Sequence, residues 1–184
     1  MNILLLFSII AIIVLLILVF VVSVYNSLVQ SREMIYNAKG QIAAQIESRW
    51  DALTNLISAA KQYSDYEKEV IENTTRQRTK ATRNSSVEEL EQDDQQFEKV
   101  LGQINVVAEN YPDLKASRVY QNTMTNVRDF EDNVRHSRMI YNDTVTKHNR
   151  RVQSFPINLL AGILGFSKEE YFAQTDTKNE MPNW

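Results

Sequence analysis

Ile3 to Val22 form an unbroken run of 20 residues with no charge and one polar side chain, Ser8. A helix rises ~1.5 Å per residue, so the run reaches ~30 Å, the thickness of a bilayer's hydrocarbon core. A helix also satisfies its own backbone N–H and C=O groups, which lipid requires. A cleaved leader is the competing reading. It fits worse, because no Lys or Arg precedes the run, no small-x-small site follows it, and the run outlasts the ~7–15 apolar residues of a leader. Residues 1–24 therefore read as a single-pass transmembrane anchor, with Tyr25 as an interfacial aromatic. Arg32 and Lys39 follow closely and favour a short N-terminus outside with the bulk of the chain in the cytoplasm.

Every Lys, Arg, Asp and Glu lies after Val24, so composition changes once, and residues 25–172 read as one helical body with a polar tail at 173–184. From Tyr25 to about Arg83 apolar positions recur at helical spacing: Leu28, Ile35 and Ile42, then Ile46, Leu53, Ile57 and Ala60. Asn84, Ser85 and Ser86 interrupt the pattern. Ser85 with Glu88 and Ser86 with Glu89 are overlapping capping boxes that open a second helix, carrying Val87, Leu90, Phe97, Leu101, Ile104, Ala108 and Tyr111 with Asp94 as the exception. Pro112 ends it or opens the next, whose stripe holds Leu114, Met124, Val127, Val134, Tyr141, Val145 and Val152 up to Phe155-Pro156. The predicted helices are thus 25–83, 86–111 and 112–153, with a short one within 157–172. No strand pattern competes, and the fold class is all-α.

Several classes of function drop out. The chain has no Cys, which removes disulfides, thiolate metal sites and a thiol nucleophile. A net charge of −3 offers no basic field for nucleic acid. Glycine-rich phosphate loops, nucleophile elbows, H-E-x-x-H and acidic metal clusters are absent, and His136 and His148 are 12 apart, which is not ligand spacing. The expectation is a non-enzyme without metal or cofactor.

Length raises a difficulty. A first helix from Tyr25 to Arg83 would rise ~88 Å, whereas a second from Ser86 to Tyr111 returns only ~39 Å. Either the first helix breaks near Ser64, where Ser64-x-x-Glu67 is another capping box, or something else covers Leu28, Ile35 and Ile42. An uncovered apolar seam marks association, so these three residues are the expected seam of a homo-oligomer.

Glu131, Arg138 and His148 share the apolar face of the third helix. Two turns separate Glu131 from Arg138, so each needs a partner from another helix, with Asn55 and Arg49 as candidates. The expected role is a buried polar network that fixes register. Arg76, Lys80 and Arg83 form a basic stripe at the far end of the first helix, read as a solvated hairpin tip or as a docking surface. Phe155 to Phe166 carries no charge over 12 residues and is too short to span a bilayer. It caps the core, or dips into a membrane surface or a neighbouring subunit.

Several blocks in this order resemble the LemA family: Tyr25-Asn26-Ser27-Leu28-Val29 with Arg32, Arg49-Trp50-Asp51-Ala52-Leu53-Thr54-Asn55-Leu56, Tyr111-Pro112-Asp113-Leu114-Lys115-Ala116, Glu131 with Arg138 and Tyr141-Asn142, and Phe155-Pro156-x-Asn158 to Gly165-Phe166. Thr54 stands where the family usually has Pro, and Lys39-Gly40 replaces a typical Ala-Trp; both bear on local helix geometry. The resemblance implies a bacterial inner-membrane protein with one N-terminal anchor, a cytoplasmic body and an elongated up-and-down, four-helix, bromodomain-like bundle. It marks Asn55, Glu131, Arg138 and Asn142 as signature positions and supplies no reaction. The functional expectation is a membrane-anchored scaffold that self-associates and organises membrane or partner proteins. The alternative is a one-to-one adaptor or regulator of another membrane protein, such as a membrane protease.

Overall fold

A computed structural model describes residues 3–60 and 81–172. The elements are α1 (Ile3–Ala60), α2 (Val87–Asn110), α3 (Pro112–Ala116), α4 (Arg118–Gln153) and α5 (Ile157–Ala161), and among the described residues there is no strand. The all-α class expected from periodicity is what the chain adopts. Two compact units divide it: a first of Met1–Asn37 with Asp143–Glu170, and a second of Ala38–Asn142 with Tyr171–Trp184.

Anchor and first bundle helix are one element. Nothing breaks α1 at the composition change, because no Pro occurs before residue 60 and the polar pair Asn26-Ser27 is followed at once by Leu28-Val29. At Thr54 the helix continues as well, the hydroxyl donating to Trp50 O at 2.8 Å. The predicted break near Ser64, and Arg76 and Lys80 of the predicted tip, lie outside the described residues. Arg83 is exposed in the turn ahead of α2.

Of the two overlapping capping boxes, the inner one starts α2. Ser86 Oγ accepts from Glu89 N at 3.0 Å and Glu89 Oε2 from Ser86 N at 2.8 Å, satisfying two otherwise orphan donors. Ser85 turns inward, its hydroxyl accepting from Thr82 N at 3.1 Å while its carbonyl takes Lys39 Nζ at 3.2 Å. The predicted third helix is interrupted at Ser117. That residue is extended and its Oγ accepts from Tyr120 N at 3.2 Å, so it caps a new helix in place of continuing α3. Helix α4 ends at Gln153, just ahead of Phe155-Pro156, where proline supplies no N–H for another turn.

In the first unit, most of the described large apolar side chains from Ile3 to Val22 face outward, from 42% exposed at Phe20 to 73% at Ile3. Burial starts at Val24 and Leu28, which pack with Ala161 and Phe166; Val29, Val152, Ile157, Leu160 and Leu164 close over them. Gly165, at φ 76°, makes the turn after α5 possible, because an L side chain is strained there. Phe166 N then donates to Ala161 O at 2.9 Å and Gly165 N to Gly162 O at 3.3 Å, a glycine-terminated helix end that folds Phe166 back onto the cluster.

The seam is a correction. Leu28, Ile35 and Ile42 are 0%, 1% and 0% exposed within a single chain. The length argument counted only the second helix as cover. Around Leu28 the cover comes from Val152 on α4, from α5 and from the segment after it, and His148 on α4 reaches Ser31 on the same stripe.

In the second unit the stripe runs on through Ile46, Trp50, Leu53 and Leu56. Leu90, Phe97, Val100 and Ile104 from α2 and Val127, Val134 and Tyr141 from α4 are buried too, and Trp50 meets Phe97 edge-on.

Candidate functional site

Leu28, Ile35 and Ile42 are seven apart, and the next step along α1 is Arg49, fully buried in the second unit. A guanidinium at a core position must find carboxylates. Arg49 Nη2 donates to Asp94 Oδ1 at 2.5 Å and Nη1 to Glu131 Oε2 at 2.8 Å. The other oxygen of Asp94 pairs with Arg138 Nη2 at 3.1 Å. The result is an alternating line, Glu131–Arg49–Asp94–Arg138, contributed by α4, α1, α2 and α4 again. Glu131 and Arg138, two turns apart on one helix, are joined only through the other two. An aromatic ring faces each guanidinium: Arg49 lies 4.0 Å over Phe97 and Arg138 5.3 Å over Phe172. Beside it Trp50 Nε1 donates to Asp93 Oδ2 at 2.8 Å and its ring meets Phe97 edge-on at 5.2 Å.

Of the four positions expected to form the network, Glu131 and Arg138 enter it, and Asn142 and Asn55 do not. Asn55 is exposed on α1. Asn142 holds another part of the second unit: its Oδ1 accepts from Phe172 N at 3.0 Å and its Nδ2 donates to Phe172 O at 3.2 Å. The amide thereby pairs with a backbone as a neighbouring strand would. The same device recurs in the first unit, where Asn149 accepts from Glu169 N at 2.8 Å and donates to Glu169 O at 2.9 Å. There His148 bridges Ser31 Oγ at 3.1 Å and Ser167 O at 3.0 Å, and Arg151 donates to Ser27 O at 3.0 Å. Sequence reasoning missed Asp93 and Asn149. Asp94 was visible as the one acidic residue on the α2 stripe; Asn149, one place from the stripe position 148, carried no signal.

Charge crowding shows at Glu98. Burial and then the Glu131 carboxylate push its pKa above the usual carboxylate range; Arg49 pulls down by less, and Asp94 adds a smaller upward push. The second unit also frames an open groove of about 470 Å³ lined by Leu101, Tyr120, Met124 and Val127 with Lys115 and Arg128. In it Tyr120 Oη donates to Asn105 Oδ1 at 3.0 Å, and burial and then Glu109 raise that phenol's pKa against a lowering by Arg128. No set of three His, Asp or Glu side chains is disposed to hold a metal among the described residues.

Chemically, the line of charges is engaged with itself. Both terminal nitrogens of Arg49 are taken by carboxylates, and Asp94 is shared between two guanidiniums, so these groups hold three helices in one register.

Comparison with known proteins agrees with the blocks read from the sequence. The family profile described as the LemA family matches residues 38–183, a stretch that includes Arg49, Asp94, Glu131, Arg138 and Asn142. The chain is 29% identical over 140 residues to protein LemA of Metamycoplasma hominis, covering 74% of this chain and 63% of that one. It is 33% identical over 78 residues to magnetosome protein MamQ 2 of Paramagnetospirillum magneticum, covering 42% of this chain and 29% of that protein. Magnetosome protein MamQ of Magnetospirillum gryphiswaldense is 32% identical over 76 residues, covering 41% and 28%. The chain thus spans less than two thirds of the length of each of these relatives. With a profile match over most of its length, on a helical body led by an apolar helix long enough to cross a membrane, the chain belongs to the LemA family.

Proposed function

We propose that this protein is a non-enzymatic helical module, tethered to the bacterial inner membrane by α1, that engages another membrane protein one-to-one. Its bundle lies in the cytoplasm. The observation that carries this reading is the buried Arg49, with both terminal nitrogens held by Asp94 and Glu131. Among the described residues this line of charges is committed to joining helices, and the reading assigns recognition to the outer surface. The self-associating scaffold expected from the sequence rested on Leu28, Ile35 and Ile42, and their burial in the chain's own fold withdraws its motive. It survives as the rival outcome of one test. Light scattering of the intact protein in detergent, paired with crosslinking in cells, should give a monomeric mass and one dominant heterologous partner. A concentration-dependent oligomer crosslinked mainly to itself would restore the scaffold.

A further inference from the structure

The uncharged stretch Phe155–Phe166 has two faces. Ile157, Leu160, Ala161, Leu164 and Phe166 pack inward on Val24, Leu28, Val29 and Val152. Phe155, Leu159 and Ile163, four residues apart along the chain, point away and are 80%, 62% and 82% exposed. Phe155 and Ile163 are more exposed than the described large apolar side chains of Ile3 to Val22, none of which exceeds 73%. A soluble cap would not keep a Phe, a Leu and an Ile on its outer side.

The level of this patch is fixed by its inner contacts. Phe166 meets the Tyr25 ring edge-on at 5.9 Å, and the Arg32 guanidinium lies 4.7 Å over its face. Val24 is two residues past the end of the apolar run, only ~3 Å along the helix. The stretch is therefore seated on α1 where the hydrocarbon-length run gives way to polar sequence. From Val152 to Ser167 no residue is charged, whereas Arg150 before it and Lys168 after it are exposed cations placed to reach phosphate headgroups while the residues between them stay apolar.

We infer that Phe155, Leu159 and Ile163 enter the headgroup–acyl boundary of the bilayer that α1 spans, giving the protein a second lipid contact beside its tether. Burial there removes three large apolar side chains from water without asking any backbone to cross the membrane. The inference rests on α1 being a membrane tether, and the test separates the two.

The chain has no native cysteine, so Ile12→Cys, Met34→Cys, Leu159→Cys and Ile163→Cys can each carry a single environment-sensitive fluorophore in the full-length protein. Each is reconstituted into phosphatidylethanolamine–phosphatidylglycerol vesicles holding a nitroxide either near the headgroup or near the chain end. Circular dichroism and melting confirm that each variant folds. The expected pattern is deep quenching at Ile12, shallow quenching at Leu159 and Ile163, and none at Met34, which stands ~18 Å along α1 from Val22. Deep quenching at Ile12, with Leu159 and Ile163 open to aqueous iodide, would overturn the inference and leave the tether standing. Shielding of Leu159 and Ile163 from iodide and nitroxide alike would also overturn it, assigning the patch to a protein partner or a second copy. No quenching at Ile12 would remove the tether and the inference with it.

Discussion

The two units of this protein hold themselves together by opposite means. In the first, the polar fastening runs to backbone and hydroxyl groups: an amide against the backbone of Glu169, an imidazole between Ser31 and Ser167, and an arginine donating to the carbonyl of Ser27. In the second, four formal charges alternate across three helices around a fully buried Arg49. In the unit that contains the apolar span, the Asn149 amide clamp is neutral on both sides, and its bonds change little with salt. The other accepts the desolvation of charge and gains specificity, since Asp94 and Glu131 admit only the register that brings both to Arg49. The contrast makes the second unit the one whose loss of a single side chain should cost most.

Arg49→Met should be the most damaging change, about 3–5 kcal/mol, because it takes from Glu131 its guanidinium and from Asp94 one of its two, and leaves both carboxylates facing Glu98. By the usual scaling this lowers the melting temperature on the order of 10 °C. Arg49→Lys should recover little, since a point-like ammonium does not span two carboxylates. Thermal melts of the full chain in detergent check both.

Leu28→Ala attacks the first unit at its apolar cluster and should cost ~3 kcal/mol, the transfer of the side chain plus the cavity it leaves. A loss below ~1 kcal/mol would mean that the segment after α5 contributes little to this unit. Next comes the pair Asn142→Ala and Asn149→Ala. Each leaves one backbone N–H and one C=O without its amide partner, which costs ~1–3 kcal/mol. Neutral clamps of this kind should show the same loss at low and high salt, whereas Glu131→Gln, on a partly exposed carboxylate, should cost less as salt rises.

The smallest effect has the opposite sign. Because Glu98 has a raised folded-state pKa, its protonated form favours the fold, and the stability that form contributes is lost as pH rises through the folded pKa. Glu98→Gln should therefore stabilise the protein at neutral pH, with the gain shrinking as pH falls into the ordinary carboxylate range. Denaturant midpoints at several pH values measure it, and a destabilised variant at neutral pH would show that Glu98 is not crowded by Glu131.

How much of this could be read in the sequence follows the reach of each signal. Period-3.6 patterning and the Ser86–Glu89 box are local: the second helix forms within a residue of its predicted bounds, the third is divided at Ser117, and residues 61–80 of the predicted first lie outside the described residues. Charge on an apolar stripe is also visible: Glu131, Arg138 and Asp94 all break a hydrophobic pattern, and a strict step of seven from Ile42 lands on Arg49. Arg49 is one of the two partners expected for Glu131, and it is the one that pairs; that Asp94 joins Arg49 to Arg138 was not visible, because it depends on three helices converging. The cover over Leu28 escaped for a similar reason. It comes from the segment after α5, brought back by the turn at Gly165, more than a hundred residues away in sequence. Thr82–Ser85 and Ser117 show the finer failure, since a short side chain competing for one backbone N–H moves a helix boundary without altering the apolar period.

An alkaline carbonate wash of membranes bearing the full-length protein goes most directly to the idea that one continuous helix serves as both tether and first bundle helix. The protein should stay entirely in the pellet and leave it only with detergent. Its appearance in the carbonate supernatant, still folded and helical, would mean that Ile3 to Val22 do not cross the bilayer.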